Sequence, residues 1–248
     1  MSLKSKIASR LGPRFYPYAQ NKRLPTHTTV SHSVVIPRAT YSPWIDDPDF
    51  LEIYETIRHN TLVDIYRSYE LWSLVREISH LNQDILEVGV WRGGTGCLMA
   101  AQASRLKPGA TVFLCDTFKG VVKANNRDST YKGGEHADTS TDIVHQLKSR
   151  MGLSNIELLE GIFPEDTGHK IADRQFSLVH IDVDVYESAK GVTDWVWPRL
   201  RRGGVIVYDD YGFSTCEGVT NLVNEHLLGT EGLTLHNLNG HAVIVKVS

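Results

Sequence analysis

The chain has 248 residues, enough for one large domain or two small ones, and its 41% hydrophobic and 22% charged residues are those of a folded, water-soluble protein with a sizeable core. A formal net charge of −3 without a Lys/Arg stripe argues against a nucleic-acid partner and leaves a small molecule as the expected ligand. Cys97, Cys115 and Cys216 lack metal spacing and cannot complete a disulfide framework, no apolar run reaches membrane-spanning length, and MSLKSKIASRLG lacks the apolar stretch of a secretory signal. The expected setting is reducing and cytoplasmic, without a membrane partner.

Residues 1–45 show no sustained period and are rich in polar residues, Pro and Tyr, so they read as an N-terminal arm. Over residues 46–82, Phe50, Ile53, Ile57, Leu62, Ile65, Leu71, Leu74, Val75 and Ile78 recur at helical spacing. This predicts a helical lead-in of two helices. Residues 83–248 then alternate short apolar runs (DILEVGV, TVFLCD, NIELLEG, FSLVHIDV, GGVIVYDD) with helical stretches, the pattern of an α/β domain with a mostly parallel sheet. A last helix near residues 219–228 leads to LTLHN and HAVIVKV across an LNG turn, which predicts an antiparallel hairpin closing the sheet.

Ligands of parallel sheets bind beyond the carboxyl ends of the strands, so the strand ends carry the functional reading. The first runs from Glu87 through Val88 and Gly89 into Trp91-Arg92-Gly93-Gly94-Thr95-Gly96, a glycine-dense turn at a helix start, where backbone can approach a ligand closely. Three residues separate Gly89 from Gly93, which departs from the dinucleotide-binding G-x-G-x-x-G. Glu87, inside the strand, needs a cationic or hydrogen-bonding partner, a need that an amino acid's ammonium would meet. Asp116 ends TVFLCD where an acid accepts from ribose hydroxyls of a nicotinamide or adenosyl cofactor, or caps a helix. Gly161 in LLEGIF admits an adenine face or is a plain turn glycine.

The fourth end is acidic. In VHIDVDVYES, Asp182 and Asp184 are two residues apart and leave an extended backbone on the same face, where like charges repel unless a cation or proton lies between them. Asp209 and Asp210 follow the next apolar run. Asp182, Asp209 and Asp210 can supply three oxygen ligands to a hard divalent cation, provided that the chain turns at Asp210 before Tyr211-Gly212. A lone Asp184 could equally cap the helix starting near Tyr186.

ILEVGVWRGGTG, FLCDTFKG, LLEGIFPEDT, HIDVDVYES and PRLRRGGVIVYDDYG together resemble the macrocin O-methyltransferase family, from about Tyr41 to the C-terminus. The resemblance implies a class I methyltransferase Rossmann-like fold, S-adenosylmethionine and Mg²⁺ as cofactors, and methylation of a sugar hydroxyl on a glycosylated small molecule. It makes Asp182, Asp209 and Asp210 the metal ligands and Asp184 the candidate general base. Glu87, Gly89 and Asp116, with Thr95 and Gly161, become cofactor contacts. Thr61 and Leu62 would cover the methionine end of the cofactor, with helix capping as the other use of Thr61. A homo-oligomer is expected. The chemistry is coherent, since a cation acidifies a hydroxyl and a carboxylate can take its proton. Residues 119–141 form a long polar connection, expected as a lid or a surface loop, with His136 expected in solvent. Trp195 and Trp197 read as packing. Rival readings are a cephalosporin-hydroxylase-like enzyme on the same fold, a nicotinamide-dependent reductase, which has no use for three converging carboxylates, and a non-catalytic binding protein.

Overall fold

A computed structural model of the chain describes residues 30, 32, 39–226, 231–237 and 239–248. Most of the expected arm lies outside these residues. Pro43–Ser248 forms one compact unit, described here. It opens with two helices, α1 (Pro48–Ile57) and α2 (Ile65–Glu77). Each starts on an aspartate: Asp47 accepts from the Phe50 amide with Pro48 in the first turn, and Asp64 accepts from the Tyr66 and Arg67 amides. Thr61 does not cap α2; its hydroxyl accepts from the Val63 amide instead.

The alternation predicted for the rest is present: β1 (Asp84–Val88), α3 (Gly94–Leu106), β2 (Val112–Asp116), α4 (Thr141–Arg150), β3 (Ile156–Glu160), β4 (Phe176–Ile181), α5 (Tyr186–Val196), β5 (Leu200–Tyr211), α6 (Glu217–His226), β6 (Gly232–His236) and β7 (Gly240–Lys246). They form one seven-stranded sheet in the order β3-β2-β1-β4-β5-β7-β6. All neighbours are parallel up to β5, and the β5–β7 and β7–β6 pairs are antiparallel. The fold is therefore the expected one, a mostly parallel sheet closed by a hairpin.

Both faces of the sheet are covered, which is why its strands are nearly all apolar. One core joins Phe50, Leu71 and Trp72 of α1 and α2 to Leu98 of α3 and Leu114 of β2. The other joins Val179 of β4 to Val192 of α5 and Leu222 of α6. Burying each such side chain contributes about 1.5–3 kcal/mol. The strand order reverses beside β1, whose neighbours are β2 and β4, so a crevice opens at the carboxyl ends of these strands.

Candidate active site

That crevice is a cavity of about 280 Å³. It is lined by Thr61, Leu62, Gly89, Thr95, Asp116 and Gly161, all expected cofactor contacts. Gly89 has φ +88°, and a Cβ there would stand 1.6 Å from the Asp182 carbonyl oxygen, so only glycine fits. Gly93, also left-handed at φ +84°, starts α3 without a side-chain cap. The Asp116 carboxylate organises the turn: Oδ2 accepts from the Val90 and Trp91 amides at 2.7 and 2.8 Å, and Oδ1 from the Phe118 amide at 2.8 Å.

Glu87 departs from expectation. It does not line the cavity; it is fully buried beneath it. In the β1–β4 register Glu87 stands beside His180, so the two side chains share a face, and Oε1 lies 2.9 Å from His180 Nδ1. The protein thus supplies a partner for Oε1, while Oε2 is buried without a hydrogen bond. For His180, burial opposes the charge, yet Asp209 and Glu87 outweigh it and raise the pKa to about 10.

Asp182, Asp184, Asp209 and Asp210 line the same cavity. One oxygen from each of Asp182, Asp209 and Asp210 lies within 4.8 Å of the others. Neighbours in an ideal strand would diverge; here Asp210 takes φ +68°, and the β5–β7 register slips between Tyr208 and Tyr211. The turn required at Asp210 is thus present. Asp209 is the compensated member: Oδ1 accepts from His241 Nε2 at 2.7 Å, and Oδ2 pairs with Arg67 Nη1. Burial would raise its pKa, but His180, His241 and Arg67 hold it well below the carboxylate range. Asp182 is pushed up by burial and then by Asp209 and Asp210. Asp210 is pushed up by burial and then by Asp184 and Asp209. For these two acids burial and the neighbouring carboxylates outweigh the charges of His180, near Asp182, and Arg67, near Asp210.

Asp184 does not cap the helix after it. The Tyr186 amide donates to Asp128 Oδ1 at 2.9 Å instead, and Val185 occupies the cap position without a side-chain bond. Asp184 sits at φ +64°, its amide 3.2 Å from Asp210 Oδ2 and its Oδ1 3.8 Å from Cys216 Sγ. Burial raises its pKa against a hydrogen bond from Tyr131 and the charge of His136.

The long connection after β2 folds over this site. Val121, Tyr131 and His136 line the cavity, and Ser188 Oγ on α5 donates to the Val122 carbonyl at 2.8 Å. His136, expected in solvent, has Nε2 3.2 Å from the Tyr131 hydroxyl. Trp195 packs edge-on against Phe163, whereas Trp197 donates to Glu231. Sequence reasoning passed over Arg67, Glu70, Tyr131, His180 and His241. The two histidines carried a signal, each a polar residue inside a buried apolar strand, the same irregularity that exposed Asp182.

Residues 60–233 match the macrocin O-methyltransferase (TylF) family. The mycinamicin III 3''-O-methyltransferase of Micromonospora griseorubida is 29% identical over 196 residues, 73% of this chain and 76% of that protein. The demethyldecarbamoylnovobiocin O-methyltransferase of Streptomyces niveus is 26% identical over 180 residues, 67% of each chain. The solved structure of the O-methyltransferase NovP superposes with a TM-score of 0.67 at 22% identity, over 76% of this chain and 83% of that one. Among the described residues no helix is long and apolar enough to cross a membrane. The chain belongs to the macrocin O-methyltransferase family, and it is accordingly an S-adenosylmethionine-dependent O-methyltransferase.

Proposed function

We propose that this enzyme methylates a sugar hydroxyl of a glycosylated small molecule, with Mg²⁺ held by Asp182, Asp209 and Asp210 and with Asp184 as the general base. The observation that carries the reading is the convergence of three carboxylates beside the glycine turn, two of them raised in pKa by burial and by the neighbouring acids. The donor set fits a hard divalent cation, which takes carboxylate oxygens. Asp209 keeps room for it, because a carboxylate offers about four lone-pair sites and Arg67 and His241 occupy one on each oxygen.

Bound there, the cation would supply Lewis-acid polarisation of the acceptor oxygen. S-adenosylmethionine, when bound, would supply an electrophilic methyl group and leave as S-adenosylhomocysteine. The chain's own residues do the rest. Gly89, Thr95, Asp116 and Gly161, with Thr61 and Leu62, would orient the cofactor. Asp184 would accept the hydroxyl proton, and the raised affinity for protons that burial gives it suits that task. Tyr131 and His136, on the covering loop, would close the site to water. Glu87 supports His180 from below.

The acceptor class rests on relatives whose names describe a mycinamicin and a novobiocin precursor as substrates. The cytoplasmic setting rests on three free, buried cysteines, and the homo-oligomer on the resemblance alone. The test is transfer of labelled methyl from S-adenosylmethionine to a panel of macrolide and aminocoumarin glycosides, with and without chelator. Mg²⁺-dependent labelling of a sugar is expected. Undiminished turnover in excess chelator, with metal content verified as negligible, would refute the metal assignment, and labelling confined to non-sugar hydroxyls would refute the acceptor class.

A further inference from the structure

Helix α2 reaches the acid cluster by two routes. Arg67 and Glu70 lie one turn apart and share a face of the helix. Arg67 bonds Asp209 Oδ2 directly. Glu70 acts through a third residue: its Oε2 meets His241 Nδ1, and His241 Nε2 lies 2.7 Å from Asp209 Oδ1. Asn237 Nδ2 donates to the same Glu70 oxygen at 2.8 Å, which ties the turn before β7 to α2.

The His241 side chain is fully buried and Asp209 nearly so. A carboxylate faces each ring nitrogen, Glu70 at Nδ1 and Asp209 at Nε2, so the orientation of the imidazole is fixed from both sides. Held by His241 on one oxygen and Arg67 on the other, the Asp209 carboxylate has its plane fixed. One of its oxygens lies within 4.8 Å of an oxygen of Asp182 and of Asp210. The parallel pair Glu87–His180 does not do this work, because His180 Nε2 stands 3.7 Å from Asp209 Oδ1 and makes no hydrogen bond.

We infer that His241, oriented by Glu70, is a positioning residue for the divalent cation: it sets the Asp209 carboxylate so that the three acids converge. The inference rests on the proposed role of those acids. Partners that orient a ligating side chain typically change metal affinity by about 10–100-fold when removed.

The experiment measures the Mn²⁺ dissociation constant of the S-adenosylhomocysteine-bound protein, the S-adenosylhomocysteine dissociation constant and Tm for Asp209→Asn, His241→Gln, Glu70→Ala and Glu70→Gln. His241→Gln and Glu70→Ala should weaken Mn²⁺ by about 10–100-fold with S-adenosylhomocysteine affinity held within about twofold. Glu70→Gln should lose less, because its amide oxygen still accepts from Nδ1. If His241→Gln does not fold, Glu70→Ala, at a partly exposed position, decides alone. Wild-type Mn²⁺ affinity in Glu70→Ala and His241→Gln, beside weakened Asp209→Asn, overturns this inference and leaves the proposed function standing. Equal losses of Mn²⁺ and S-adenosylhomocysteine affinity also overturn it, since they report general distortion. Unchanged Mn²⁺ affinity in Asp209→Asn overturns the reading of the acids itself.

Discussion

Gly89 touches Asp182 backbone to backbone: a Cβ on Gly89 would lie 1.6 Å from the Asp182 carbonyl oxygen and 3.3 Å from Val183 Cγ1. The glycine turn after β1 and the acid run after β4 are therefore one structural unit. Gly89→Ala must displace β4's end or leave φ +88°, and either moves Asp182. The expected result is destabilisation by more than about 2 kcal/mol together with loss of S-adenosylhomocysteine binding. Urea denaturation and calorimetric titration measure the two, and a variant as stable as wild type that binds normally would contradict the packing.

S-adenosylhomocysteine should raise Tm and NADH should not. The lining set around Gly89 and Asp116 fits an adenosyl ligand, and a ligand at a hundred times its Kd stabilises by about 2.7 kcal/mol. Differential scanning fluorimetry with both ligands is decisive, and a shift with NADH alone would favour a reductase.

The strand ends were legible because they break an otherwise apolar pattern. Asp182 in a valine-rich run, Asp116 after FLC and the glycines after Glu87 each mark where a buried strand meets a cavity. The convergence of Asp209 with Asp210 was legible only as a condition, since it depends on the φ of one residue. The partner of Glu87, His180, was hidden because the two are adjacent only through strand pairing, which sequence separation conceals. Arg67, Glu70 and His241 were missed for the same reason: α2 and β7 are far apart along the chain and meet at Asp209 only once the sheet has formed.

Asp184→Asn should keep Mg²⁺ and cofactor affinity while the single-turnover rate falls by roughly 10²–10⁴-fold. Asn tolerates a left-handed backbone, so φ +64° is no obstacle to folding. A near-wild-type rate at saturating acceptor, cofactor and Mg²⁺ would place the base elsewhere, with the Tyr131–His136 pair next to be tested.

The Mg²⁺-induced rise in Tm should grow with pH. Burial and neighbouring acids hold Asp182 and Asp210 above the ordinary carboxylate range. A carboxyl raised in the fold stabilises fully below its unfolded value near ~4 and loses that contribution as pH rises through its folded value. His180, at about 10 with Asp209 and Glu87 outweighing burial, acts in the same sense, fully stabilising below ~6.5 and declining toward its folded value. Asp209, held low, contributes oppositely, and loses its share only below the ordinary carboxylate range. The cation-free protein should thus weaken over the interval above the ordinary carboxylate range, near ~4, as pH rises through the raised values of Asp182 and Asp210, and there bound Mg²⁺ supplies the missing charge. A Tm gain that is flat or shrinks over that interval would contradict the assignment.

The most direct measurement is anomalous diffraction from crystals grown with Mn²⁺ and S-adenosylhomocysteine. The account predicts a single strong peak bonded to oxygens of Asp182, Asp209 and Asp210, with the adenosyl group between Gly89, Asp116 and Gly161 and the thioether sulfur facing the metal. A cofactor seated there with no peak among the three acids at saturating Mn²⁺, or a peak bound to other residues, would contradict it.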